Sequence, residues 1–163
     1  MEENNSKLEE LCDTLDDLTL TQVDYLDETL SLMSKLENYL TSGFIDLAKS
    51  RYISGERSIS LLQIPGEESE VEPATTVVRD SDNKLVISRN KEASDPLKWF
   101  GVLVPSSLRQ SQNAFQQVLE TAVEILNARN EWLNALEETK KLSTENDWLN
   151  ALVETNKLST ENN

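Results

Sequence analysis

Two apolar stripes with helical spacing, one on either side of a polar segment, constrain this chain more than any other feature. From Ser6 to Leu40 the first stripe reads Leu8, Leu11, Leu15, Leu18, Gln22, Tyr25, Thr29, Leu32, Leu36 and Tyr39. Steps of three and four residues keep these positions on one side of an α-helix. A second row, Val23, Leu26, Leu30, Met33 and Leu40, runs beside it. That width predicts packing against more than a thin seam. The other stripe follows Pro105 and reads Leu108, Phe115, Val118, Leu119, Ala122, Ile125, Leu126, Trp132, Leu133 and Leu136. Two amphipathic helices of similar length bury their faces most simply against each other. The expected fold class is therefore mainly α: a long antiparallel helical hairpin, coiled-coil-like, with a partly disordered linker that has room for a small β-hairpin.

Local signals place the boundaries. The first helix is expected over residues 6–53, with a kink at Thr41-Ser42-Gly43. Lys49 and Arg51 fall in its last turns, where cations suit the negative end of the helix dipole. Gly55 fits the residue just past the end. The second helix is expected over residues 107–142. Ser106 and Ser107 are good N-caps, and Ser107 with Gln110 has capping-box spacing. The chain thus divides into a long helix over 1–55, an acidic linker over 56–94, the segment from Asp95 with the second helix over 95–142, and a loosely ordered tail over 143–163.

Within the linker, Ile64-Pro65-Gly66 signals a turn. Thr75–Arg79 and Lys84–Ser88 are rich in β-branched residues and flank Asp80-Ser81-Asp82-Asn83, which reads as a hairpin. A lone hairpin is marginal in water, so it requires a partner surface or stays mobile. Asp80, Asp82 and Asn83 resemble the opening of a calcium loop, but no Gly stands at its sixth position and Lys91 stands where the last Glu belongs.

The tail holds a duplication: Glu131–Asn146 recurs as Asp147–Asn162 with three differences. A shift of 16 residues at about 100° each turns the second copy's apolar face roughly 160° from the first. The two copies cannot present the same face to one partner without a break, expected at Ser143-Thr144.

Charge excludes some functions. Asp and Glu outnumber Lys and Arg by 30 to 15, a formal net charge of −15. Phosphates demand a basic face, which argues against nucleic acid and against adsorption to anionic lipid. Met1–Asp46 alone carries 12 acidic and two basic residues. A solvated helix face accounts for this, and an acidic surface for a basic partner is the other reading. No stretch approaches the roughly 20 apolar residues of a spanning helix, and Met1–Lys7 is too polar for a signal peptide. The expectation is a chain with no direct membrane insertion. Cys12, the one cysteine, reads as an inert, partly buried thiol.

Catalytic signatures are missing. The chain has no His, so His-based nucleophile pairs and His metal sites are excluded. Its four Gly, at 43, 55, 66 and 101, form no phosphate loop. We expect no catalytic residue, no metal ligand and no cofactor, and hence a protein that acts by binding.

The block Asp95-Pro96-Leu97-Lys98-Trp99-Phe100-Gly101-Val102-Leu103-Val104-Pro105-Ser106-Ser107-Leu108-Arg109-Gln110-Ser111-Gln112, followed by Phe115, resembles the signature of a family of coiled-coil assembly factors for the vacuolar-type proton ATPase. A weaker patch, Gly43–Tyr52, resembles the end of that family's first helix. The resemblance reaches neither the linker nor the duplication. It implies a cytoplasmic protein, peripherally associated with the endoplasmic reticulum through a membrane-anchored assembly partner. It further implies transient contact with the pump's proton-channel sector, without membership of the finished pump. The alternative is a generic coiled-coil scaffold or tether.

Two readings of the block itself follow. Trp99, Phe100, Leu103 and Val104 can fold back to plug the open end of the hairpin. Alternatively, part of the segment docks the partner, with Trp99, Phe100, Leu103 and Arg109 as the candidate residues, because aromatics and Arg favour interface centres.

Overall fold

A computed structural model describes residues 2–55, 57–66 and 69–161. Helix α1 runs Glu2–Ser54 and helix α2 runs Ser106–Glu161. Between them lie a 3-10 turn at Leu61–Gln63, strands β1 (Thr75–Arg79) and β2 (Leu85–Arg89), and a second 3-10 turn at Pro96–Phe100. Among the described residues no helix is long and apolar enough to cross a membrane. The chain divides into two compact units. A linker unit spans Ser31–Asn127, and a terminal unit joins the chain up to Leu30 with the chain from Ala128 onward.

In the linker unit α1 and α2 pack antiparallel. Moving back along α1, Ser50 meets Ser107, Gly43 meets Ser111, and Phe44 meets Phe115. Helix α1 is continuous through Thr41-Ser42-Gly43. Gly43 serves as a point of close approach. A Cβ placed there would lie 3.1 Å from the Phe115 ring, and the Gly43 carbonyl accepts a 2.8 Å hydrogen bond from the Ser111 hydroxyl. Ser107 is not a cap. It is buried inside α2, and its hydroxyl pairs with that of buried Ser50 at 2.7 Å. Small residues here let the backbones approach, and their hydroxyls find partners across the seam.

The linker hairpin forms, antiparallel, with Thr75 opposite Arg89 and Val77 opposite Ile87. The second strand begins one residue later than its sequence suggested. The Asp80 carboxylate explains this: it accepts from the Asp82 and Lys84 amides and holds Lys84 in the turn. Asn83 takes the left-handed conformation there, at φ 61. The partner surface that a lone hairpin requires is α2. Asn127 acts as a one-residue strand, accepting from the Leu85 amide and donating to the Leu85 carbonyl, both at 2.9 Å. Arg89 adds an ion pair with Glu120.

In the terminal unit the helices are again antiparallel. Gln22 donates to Thr139 at 2.6 Å, and Lys7 pairs with Glu145 at 3.4 Å. Leu8, Leu11, Leu15, Leu18 and Tyr25 are all half-buried, as the first stripe predicts. The second row is different. Val23, Leu26 and Leu30 here, and Met33 in the linker unit, are exposed, so the seam is thinner than the sequence suggested. Cys12 is likewise exposed rather than partly buried.

Helix α2 continues through Ser143-Thr144 without the expected break. Thr144 keeps its hydroxyl satisfied inside the helix by donating to the Lys140 carbonyl at 2.9 Å. With no break, the two copies of the duplication differ in what they bury. Trp132 is half-buried, whereas its counterpart Trp148 is 62% exposed. Leu133 is exposed, whereas its counterpart Leu149 is buried at 4% exposure. Helix phase, not local sequence, selects the inward residue.

Candidate partner-docking site

The candidate residues lie where the linker enters α2. Asp95 caps the Pro96–Phe100 turn: its carboxylate accepts from the Leu97 amide at 3.0 Å and from the Gln112 side chain at 2.8 Å. These bonds tie the turn to the first turns of α2. They also hold the Asp95 carboxyl below its ordinary pKa, chiefly through the Leu97 amide and next through Gln112. Gly101 ends the turn at φ 110, a conformation that suits glycine.

The turn closes the end of the helix pair. Ile59, Leu97 and Leu108 are buried together, and Leu47, Phe100 and Val104 pack against them. The four candidates separate on this frame. Phe100 is half-buried against the core and also lines an apolar cleft of about 470 Å³ with Leu47, Ile59, Leu61, Leu62 and Ile64. Trp99 is half-buried on another side, in a cavity of about 310 Å³ shared with Val71, Ala93, Glu70 and Glu72. Leu103 is 95% exposed and makes no part of the core. Arg109 is exposed beside a cleft lined by Asp95, Lys98 and Val102. So Phe100 and Val104 act as the plug, Leu103 does not, and Leu103 and Arg109 are the accessible pair.

Sequence reasoning passed over the cleft formed by Leu61, Leu62 and Ile64. Its signal was an apolar pair, Leu61-Leu62, set in a polar linker outside either helical stripe. Ser60 explains why that pair is held in place. Its hydroxyl accepts from the Leu62 amide, and the Gln63 side chain accepts from the Ser60 amide, a complete capping box on a single turn.

Comparison with known proteins bears on these residues. A family model described as Vma22/CCDC115 matches residues 65–118. That span covers the hairpin, the Pro96–Phe100 turn and the start of α2, so it takes in linker residues that the signature alone did not reach. The chain is similar to vacuolar ATPase assembly protein VMA22 of Homo sapiens, at 29% identity over 164 residues, covering 78% of this chain and 91% of that protein. The Mus musculus protein of the same name is 29% identical over 155 residues, with 75% and 86% covered. The Saccharomyces cerevisiae protein is 24% identical over 174 residues, with 82% and 96% covered. Together these likenesses support the vacuolar ATPase assembly factor family.

Proposed function

We propose that this chain is a non-catalytic assembly factor for the vacuolar-type proton ATPase, working at the endoplasmic reticulum membrane on the proton-channel sector. A membrane-anchored partner recruits it there, and contacts with channel subunits are transient. The observation that carries this reading is the Asp95–Phe115 segment. It lies wholly within the matched span, yet its fold leaves Leu103 and Arg109 outside the core they frame. A residue needed only to plug the helix pair would be buried, as Leu97 and Leu108 are. An aliphatic side chain left in water beside an exposed Arg fits a docking surface better.

The accessible pair makes the cleanest test. Tagged wild-type chain, recovered from detergent-solubilised membranes, is expected to bring down a membrane-anchored assembly partner and channel subunits without the complete pump. Leu103→Asp plus Arg109→Glu is expected to lose them while keeping the wild-type helical circular dichroism. Cells lacking the protein are expected to acidify their lysosomes or vacuoles poorly. Recovery of only cytoskeletal or vesicle proteins would replace this reading with a tether. Trp99→Ala plus Phe100→Ala is less informative, because Phe100 also belongs to the core.

A further inference from the structure

The end of α1 and the turn that follows combine two features. One is apolar surface in water. Tyr52 is 90% exposed, Leu61 83% and Leu62 91%, and Ile53 is also exposed. A held, capped turn that presents Leu61 and Leu62 outward beside an apolar cleft is suited to an occupant. The other feature is positive charge in an acidic protein. Residues 47–66 contain three of the 15 basic residues and one of the 30 acidic residues, a local net of +2. All other residues together carry −17. Lys49, Arg51 and Arg57 are all exposed, and Arg51 lines the same cleft as Leu61 and Leu62.

We propose that this patch rests on an anionic lipid bilayer, with Leu61 and Leu62 entering the headgroup boundary and Arg51 and Arg57 meeting lipid phosphates. Tyr52 has the amphipathic ring favoured at such boundaries. Protruding aliphatics need no partner of fixed shape, which suits a fluid surface. The charge distribution orients the molecule, because an anionic surface attracts this patch and repels the acidic remainder. The expectation drawn from net charge, that the chain avoids anionic lipid, assumes a uniform distribution, and the charge of this chain is uneven. Contact of this kind adds no spanning segment.

The inference goes beyond the assembly reading and uses different residues, so the two fail separately. Purified full-length chain is incubated with vesicles of phosphatidylcholine alone or with about 30% phosphatidylserine, and co-sedimentation is measured. Binding to the anionic vesicles is expected to exceed binding to the neutral ones by at least about tenfold and to weaken as salt screens the charges. Leu61→Asp plus Leu62→Asp, and separately Arg51→Glu plus Arg57→Glu, are each expected to reduce it about tenfold or more, with circular dichroism unchanged. Equal binding to both vesicles, no binding, or binding indifferent to both variants would overturn the proposal. So would variants that lose a co-purifying protein while the wild-type chain ignores lipid, which would assign the patch to a protein partner.

Discussion

The linker unit and the terminal unit join the same two helices by different chemistry. In the linker unit the seam is made of small residues. Gly43, Ser50, Ser107 and Ser111 are buried, and two side-chain hydrogen bonds cross between the helices. In the terminal unit the buried residues are Ala128, Ala135 and Leu149, flanked by half-buried Leu and Trp, and Gln22 to Thr139 is the short hydrogen bond across. The heptad-like pattern is the same in both. It tells which positions turn inward but not how close the backbones come, because that depends on the size of what fills each position.

The largest effect is expected where the approach is tightest. Gly43→Leu drives a side chain into the Phe115 ring, already 3.1 Å from where a Cβ would stand, and forces the helices apart at the Ser111 hydrogen bond. Overpacking with loss of that bond is expected to cost about 3 kcal/mol, read as a lower thermal midpoint by circular dichroism. A fall no larger than that of a surface substitution would mean that the close approach does not exist.

Next comes the duplication in the terminal unit, where like residues are predicted to behave unlike. Leu149→Ala removes a buried side chain and is expected to cost about 2 kcal/mol, at the low end for a buried Leu because the seam here is thin. Trp148→Ala, its exposed neighbour, is expected to change stability by no more than about 0.5 kcal/mol. Hydrogen exchange over residues 142–152 separates the two variants. A reversed order would show that the second copy sits in the other helical phase.

The smallest effect returns to the linker unit. The Asp95 carboxyl titrates below its ordinary value, so its contribution to stability is full above the unfolded-state pKa, about 3.9. It is lost as pH falls through the lower folded value. Asp95→Asn keeps an acceptor for the Leu97 amide and cannot titrate. The wild-type advantage over this variant, followed by thermal melts from pH 2 to pH 6, is expected to shrink on the acid side only. A gap independent of pH would mean that the charge contributes nothing.

Much of this was legible in the chain. The three-and-four spacing of Leu8 through Tyr39 marked the inward face of α1, and a β-rich pair around Asp80–Asn83 marked the hairpin. The readings that failed were local signals overruled by packing. Gly43 and Ser107 carry breaker and cap propensities, but each sits where α1 and α2 come closest, and the gain from close packing exceeds the cost of a mid-helix glycine, about 1 kcal/mol. Ser143-Thr144 looked like a break because two copies could not share a face. The helix resolves the conflict by letting the copies differ, with Leu149 inside and Trp148 outside.

At the candidate site, residue types named Trp99, Phe100, Leu103 and Arg109 together, but the fold divides them. Phe100 touches the Ile59–Leu97–Leu108 core, Trp99 sits in a separate cavity, and Leu103 and Arg109 face water. By itself the sequence determined the helices and the hairpin, since periodicity and turn chemistry are local properties of the chain. Which apolar side chains reach the core and how closely α1 and α2 approach were decided by tertiary structure. Each depends on residues far apart in the chain meeting in space.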